Sequence, residues 1–183
     1  MKDYKDFIND LGYRESKNRY DVVNPYGFLG RWQFGKPRLY DAGLSIDNYS
    51  PKGMNKRRLY GKKHFLANRD NIQDKIMHWH VYNLADSLNK KYSGYYGTFI
   101  DGIEITLSGL VAGAHLLGPG GVKQFLKGEN GTDANGTKIS EYISKFGGYE
   151  LYPPEIDLKN EIAKIDALAI PKPMIDNPLN ELT

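Results

Sequence analysis

Apolar side chains first recur at intervals of three and four at Tyr4, Phe7, Ile8 and Leu11, which puts them on one face of a short helix with Gly12 placed to stop it. Residues 13–62 carry no such period. They are rich in Gly, Pro, Asn and Tyr, and predict turns, short helical pieces or a small sheet. A long helix is predicted from Asn68 or Arg69 to Lys91, where Met77, Val81, Leu84 and Leu88 form one stripe that Ile72, Ile76 and Trp79 widen. Tyr92 to Thr98 reads as a Tyr-Gly loop.

The strongest apolar run, Thr106 to Leu117, predicts a second helix that Gly118 ends. Ser108, Gly109, Ala112, Gly113 and Ala114 are small, so another helix can approach its backbone closely. Val122 to Leu126 adds a helical turn or two. Asn130 to Thr137 is a turn-forming loop, and Ile139 to Phe146 predicts a final core helix. The loop's two Asn-Gly-Thr triplets fit a glycosylation sequon, but a tight turn accounts for them.

The fold class that follows is mainly α, of α+β type. Helices surround a long apolar central helix, with a small turn and short-strand region near residues 20–60. From Tyr152 the chain changes character, with Pro153, Pro154, Pro171, Pro173 and Pro178 leaving one short amphipathic stretch at Leu158 to Leu168. The division is therefore a domain at 1–150 and an acidic, Pro-containing tail at 151–183 that packs on the domain or binds a partner.

Composition narrows the class. A chain of 183 residues, 40% hydrophobic and 26% charged, has the length and balance of one globular domain with a core and a modest cleft. Without cysteine there is no disulfide framework and no thiolate metal site. No apolar run reaches the length of a membrane span. Met1 to Phe7 lacks the apolar stretch of a secretory signal, which leads to the expectation of cytoplasmic synthesis without a signal peptide.

The net charge of +3 is unevenly spread: residues 150–183 hold seven acidic and three basic residues, leaving 22 basic against 15 acidic over residues 1–149. A basic body is drawn to polyanions, including nucleic acid, anionic lipid and bacterial cell wall. The densest basic stretch, Lys56, Arg57, Arg58, Lys62 and Lys63, reads slightly better as a solvated loop than as a binding patch.

One pattern carries chemistry. Glu15-Ser16 follows the first amphipathic segment, and Gly27-Phe28-Leu29-Gly30-Arg31-Trp32-Gln33-Phe34 then forms a turn with two glycines. A single carboxylic acid held against aromatic surface, with polar groups to orient a ligand, is the minimum equipment for cutting a glycosidic bond. Burial beside apolar groups helps such an acid keep its proton near neutral pH. Glu15 is thus the candidate catalytic residue. Aromatic faces stack on sugars, and Trp32, Tyr26, Tyr95 and Tyr96 are candidates to line a sugar site.

The pattern also resembles a family. Glu-Ser, then Gly27, Gly30 and Gln33, with the glutamine eighteen positions after the glutamate, resembles the lytic transglycosylases and goose-type lysozymes of the lysozyme-like superfamily. Those usually read Glu-Ser and then Gly-Ala-x-Gly-Leu-Met-Gln; here Arg31-Trp32 replaces Leu-Met. Ala114-His115-Leu116-Leu117-Gly118-Pro119-Gly120-Gly121-Val122 resembles the group's Ala-Tyr-Asn-Ala-Gly-x-Gly, with His115 for Tyr and Leu116 for Asn. A helix C-cap and a proline turn account for the same glycines. Ser140-Glu141-Tyr142-Ile143 resembles the group's late Thr-x-x-Tyr-Val segment, with Tyr149 a close competitor for the tyrosine.

The resemblance implies a lysozyme-like domain acting on peptidoglycan strands, between N-acetylmuramic acid and N-acetylglucosamine, as a muramidase or lytic transglycosylase without cofactor or metal. Glu15 would be the general acid and then the base, and Ser16 would hydrogen-bond the site. Gln33 would touch substrate or Glu15, Gly30 would let the backbone approach sugar, and Tyr142 would orient the acid. His115 would face the cleft and bond a sugar, or be a buried core residue. Lytic transglycosylases manage with one acid, since the sugar's own 6-hydroxyl replaces water and leaves a 1,6-anhydro end.

A two-acid mechanism needs a partner carboxylate. Asp101 and Glu104 are the candidates, with Asp47 and Asp70 behind them, though each reads more readily as a capping or surface residue. His78 and His80 are two apart on the predicted helix and point to nearly opposite sides, so they do not share a metal. Action on the wall without a leader implies delivery by a phage- or secretion-type system, with that machinery or an immunity protein as partners. The rival readings are a chitinase-like enzyme, a non-catalytic wall-binding or structural module on the same fold, and a nucleic-acid-binding domain, the last without a supporting motif.

Overall fold

In the computed structural model, residues 2–54 and 57–164 are described. Lys56 of the basic stretch and the end of the predicted Leu158–Leu168 segment lie outside the described residues. The described chain is mainly helical, with seven α-helices and two small two-stranded sheets.

Helix α1 spans Tyr4–Ser16. Asp3 caps it: its carboxylate accepts the Asp6 N–H, and the Asp6 carboxylate accepts the Asp3 N–H, both at 3.0 Å. Phe7, Ile8 and Leu11 are buried, as their spacing requires. The helix does not stop at Gly12. A Cβ there would lie 2.5 Å from Asn18 Oδ1 and 3.1 Å from Trp32 Nε1, so this glycine admits close neighbours while the helix continues. Lys17, in the left-handed region at φ 59°, ends it.

A loop of paired backbone bridges, Val23 with Leu29 and Leu29 with Phe34, follows. Helix α2 spans Lys36–Asp41, with Pro37 in its first turn. Strand β1 (Leu44–Ser45) pairs in parallel with β2 (Arg58–Leu59), and α3 spans Lys62–Leu66. This is the short-element region near residues 20–60.

Helix α4 covers Ile72–Tyr92, starting later than the periodicity suggests. Asn68, Asp70 and Asn71 take φ of 48°, 56° and 53°, so the chain before Ile72 is a 3-10 turn with breaks on both sides. Ile72, Ile76, Met77, Val81, Leu84 and Leu88 are buried. Strands β3 (Phe99–Ile100) and β4 (Ile103–Glu104) form an antiparallel hairpin. Its two-residue turn, Asp101-Gly102, has positive φ at both positions, the conformation an Asp-Gly pair favours.

Helix α5 spans Leu107–Phe125 and breaks at Gly118, whose φ of 72° and ψ of 173° close the first segment as predicted. Pro119 opens the second. Thr106 caps the start, its hydroxyl accepting the Gly109 N–H at 3.1 Å. Helix α5 packs against α4 on one side and against α6, Ile139–Lys145, on the other. The small residues explain the closeness: a Cβ on Gly109 would lie 2.6 Å from the Ile143 carbonyl oxygen, and one on Gly113 would lie 2.8 Å from Ile143 Cγ1. Helix α7, Leu158–Lys164, returns onto α4 with Leu158 and Ile162 buried and Lys75 paired to Glu161 at 3.1 Å.

Candidate functional site

The last turn of α1 presents Glu15 and Ser16. The Ser16 hydroxyl donates to the Arg31 carbonyl at 2.8 Å and accepts the Arg19 N–H at 3.0 Å, fastening the end of the helix to the glycine turn. In that turn Leu29 and Phe34 exchange backbone hydrogen bonds of 3.0 and 2.9 Å around Gly30 to Gln33. Gln33 has φ 49°, and its side-chain amide donates to the Gly30 carbonyl at 2.8 Å. Asn24 holds the preceding bend, its Oδ1 accepting the Tyr26 and Phe28 N–H groups at 3.0 Å each.

From α6, 127 positions away in sequence, the Tyr142 hydroxyl donates to Glu15 Oε1 at 2.5 Å. Burial raises the pKa of Tyr142, and the neighbouring Glu15 adds to this, so the phenol stays a donor at neutral pH. Tyr149 is engaged elsewhere, donating to Asp10 Oδ2 at 2.7 Å. Geometry therefore selects Tyr142 over Tyr149 as the tyrosine that meets Glu15.

From α5, His115 Nε2 lies 3.1 Å from the Trp32 carbonyl oxygen and 3.9 Å from Glu15 Oε1. Because a carbonyl only accepts, Nε2 carries the proton. Nδ1 then accepts from His80 Nε2 at 3.1 Å. His80 Nδ1 is buried and finds no hydrogen-bond partner among the described residues, which suits a neutral ring. Burial lowers the pKa of His80 well below the ordinary value, with His115 and Arg38 pushing the same way. Burial also lowers that of His115, with Glu15 and the Trp32 carbonyl opposing and Arg38 assisting. Both imidazoles are neutral at pH 7.

Glu15, Gln33, His80 and His115 border a cleft of two adjoining hollows that share Tyr26, Phe28, Gln33 and His115. Glu15, its side chain 15% exposed, stands in the smaller one of about 120 Å³ with Leu116 and Asp133. The larger, about 580 Å³, continues past Phe34, Lys36, Arg38 and Tyr49. A carboxyl held on one oxygen by a tyrosine and open to an aromatic cleft can deliver or take up a proton at a ligand lying there.

Several expected site residues lie elsewhere. Trp32 is 0% exposed, its Nε1 donating to the Ile8 carbonyl at 3.1 Å; it is a core residue with no face for a sugar. Arg31 does not line the cleft either. Its guanidinium is held by Asn18 at 2.9 Å and the Tyr20 hydroxyl at 3.0 Å and lies over the Trp32 ring, so Arg31-Trp32 braces the turn from behind. Gly30 is buried against protein: a Cβ there would lie 2.0 Å from Gln73 Oε1, so it makes room for that side chain instead of a ligand.

Tyr95 and Tyr96 belong to the 3-10 turn after α4 and its end, and neither lines the cleft. Asp101 and Glu104 sit in the β3–β4 hairpin, also off the cleft, where Asp101 supplies the positive-φ turn. Tyr26, by contrast, is 58% exposed and lines both hollows.

Sequence reasoning missed Asp133, the other carboxyl in the Glu15 hollow. Its Oδ1 accepts the Asn135 and Thr137 N–H groups at 2.9 and 2.8 Å, an Asx turn inside the loop recognised only as a turn. Phe28, inside the glycine turn, and His80, weighed only as a metal ligand, were not singled out for the cleft, and Lys36, Arg38 and Tyr49 were missed outright; these last three belong to no motif and meet the others only in three dimensions. Compared with protein-family models, curated proteins and solved structures, the chain finds no match in any of the three.

Proposed function

We propose that this protein is a peptidoglycan-cleaving glycosidase on a lysozyme-like fold, a muramidase or lytic transglycosylase, with Glu15 as its acid. The observation that carries the reading is the Tyr142–Glu15 hydrogen bond at the edge of an aromatic cleft. Three segments that resemble one family's motifs come together here: Tyr142 bonds Glu15, His115 lies 3.9 Å from it, and Gln33 lines the same hollow. Tyr142 occupies Oε1, so Oε2 is the oxygen that passes its proton to the glycosidic oxygen as the bond to the anomeric carbon breaks. The carboxylate then takes a proton from water, or from the sugar's own 6-hydroxyl, as that oxygen bonds to the anomeric carbon and yields a reducing or a 1,6-anhydro end. Asp133, which lines the same hollow, would serve the water route in place of Asp101 or Glu104.

One observation favours the non-catalytic alternative. Leu116 lines the Glu15 hollow at the position where the resembled group has an asparagine amide, so an acetamide loses a polar partner there.

Digestion of purified peptidoglycan by the wild type and by Glu15→Gln, read by mass spectrometry of released sugars, decides between these readings. Loss of release in Glu15→Gln supports the proposal; anhydro ends identify a transglycosylase and reducing ends a hydrolase. Asp133→Asn keeps the Oδ1 acceptor of the turn while removing the charge, so its loss of activity would assign the second carboxylate. Equal release by wild type and Glu15→Gln would sink the role of Glu15. Binding of the wall without release by the wild type would favour the binding module.

A further inference from the structure

The larger hollow differs in charge from the smaller one. Glu15 and Asp133 border the small hollow, whereas among the described residues no carboxylate lines the large one, which carries Lys36 and Arg38. Each cation has an acidic neighbour outside that lining: Lys36 Nζ is 3.0 Å from Asp47 Oδ2, and Arg38 is 3.6 Å from Asp41 Oδ2. These are half-exposed pairs of the weak kind, which a ligand carboxylate can share. The charge of Arg38 also reaches inward, contributing to the lowered pKa of both His80 and His115.

The aromatic lining of the same hollow is held in place. Asp47 and Asn48 both take positive φ, at 52° and 57°, which turns the chain so that Tyr49 N–H reaches the Ile46 carbonyl at 3.0 Å. The buried Ser45 hydroxyl donates to the Tyr49 carbonyl at 2.8 Å, and the Tyr40 ring meets the Tyr49 ring edge-on. Phe28 and Tyr26 complete the surface. Flat rings with two cations and no carboxylate complement a ligand that is apolar on its face and anionic on a substituent.

We infer that Lys36 and Arg38 form an acid-recognising arm of the cleft that selects glycan bearing a carboxylate substituent over neutral N-acetylglucosamine polymer. The inference rests on the glycan reading of the cleft and adds a specificity to it. The carboxylate has two sources in peptidoglycan: the lactyl group of muramic acid once its peptide is removed, or the acids of an attached stem peptide. A lactyl group in amide linkage has no charge, so the two sources are separable.

The test measures binding by titration calorimetry in the Glu15→Gln background, which keeps substrates uncut. The ligands are amidase-treated strands with free lactyl groups, strands with stem peptides, and N-acetylglucosamine oligomers. Lys36→Gln with Arg38→Gln is expected to weaken binding of at least one acidic strand tenfold or more and to leave the neutral oligomer within twofold. Loss on the amidase-treated strands assigns the lactyl group; loss confined to stem-bearing strands assigns the peptide. Unchanged binding of both acidic strands, or equal loss on the neutral oligomer, overturns the inference. So does tighter binding of an oligonucleotide than of any strand.

Because the readout is binding, full wall cleavage by Glu15→Gln would overturn only the role of Glu15. Failure of the parent to bind any glycan would overturn the glycan reading and the inference together. Matching thermal unfolding of the variants and the parent shows that a loss of binding is not a loss of fold.

Discussion

Gly30→Ala places a methyl group where Gln73 already stands. The added Cβ would lie 2.0 Å from Gln73 Oε1 and 2.6 Å from its Cδ, so the amide must withdraw. That amide is fully buried and satisfied: Oε1 accepts the Arg31 N–H at 2.8 Å, and Nε2 donates to the carbonyls of Tyr20 at 3.0 Å and Phe65 at 2.6 Å. Losing three such bonds costs about 3 kcal/mol, at about 1 kcal/mol each. Holding alanine at φ +77° adds about 1–2 kcal/mol. The expected loss is therefore about 4–5 kcal/mol, a large share of the about 5–15 kcal/mol that stabilises an ordinary domain.

Urea unfolding measures it directly. Gln73→Ala alone should cost about 3 kcal/mol by the same three bonds. In the double variant the clash has no object, so only the backbone strain is added to the Gln73→Ala loss. The double variant should fall about 3 kcal/mol short of the sum of the single losses, near the upper end of measured couplings. Additivity to within about 0.5 kcal/mol would show that Gly30 does not serve Gln73.

Other expectations follow from the same geometry. Tyr142→Phe removes the hydrogen bond that would stabilise the charge developing on Glu15 as it gives up its proton, worth about 1.5–3 kcal/mol, so kcat should fall about 10- to 150-fold with KM little changed. Steady-state kinetics on soluble glycan reads the split, and a rise in KM alone would refute the orienting role. Burial lowers the pKa of His78 as well as of His80 and His115, and these lowered values make stability pH-dependent. The unfolded chain takes up protons below about pH 6.5 that the folded His78, His80 and His115 refuse, so stability is present above that pH and lost below it. For His80, held well below its ordinary pKa, the slope should approach about 1.4 kcal/mol per pH unit, and His80→Gln should flatten it in denaturant titrations at pH 5 to 7.

How much of this was legible in the sequence differs from element to element. The α4 and α5 stripes were readable because a helix buried on one face repeats its apolar residues, and Gly118 was readable because its break is local. The span of α1 was misread because glycine has two uses, ending a helix and admitting a neighbour, and only the neighbours Asn18 and Trp32 distinguish them. Trp32 was misread for a similar reason, since an indole packs into a core as readily as it stacks on sugar. The β3–β4 hairpin passed unnoticed because its strands are two residues long. Glu15, Gln33, His115 and Tyr142 were found through short motifs. Asp133, Lys36, Arg38 and Tyr49 lacked such a signal, since nothing local in sequence says which loops will face each other.

The Tyr142–Glu15 bond spans 127 positions, and that separation has a temporal meaning. At about 5–20 residues per second, a ribosome adds Tyr142 about 6–25 s after Glu15. Through that interval the growing chain carries its carboxyl without the hydroxyl that fixes it, and α6 has yet to close against α5. The arrangement therefore forms only once α6 has been made, and a fragment ending before α6 would hold the acid but not its orientation.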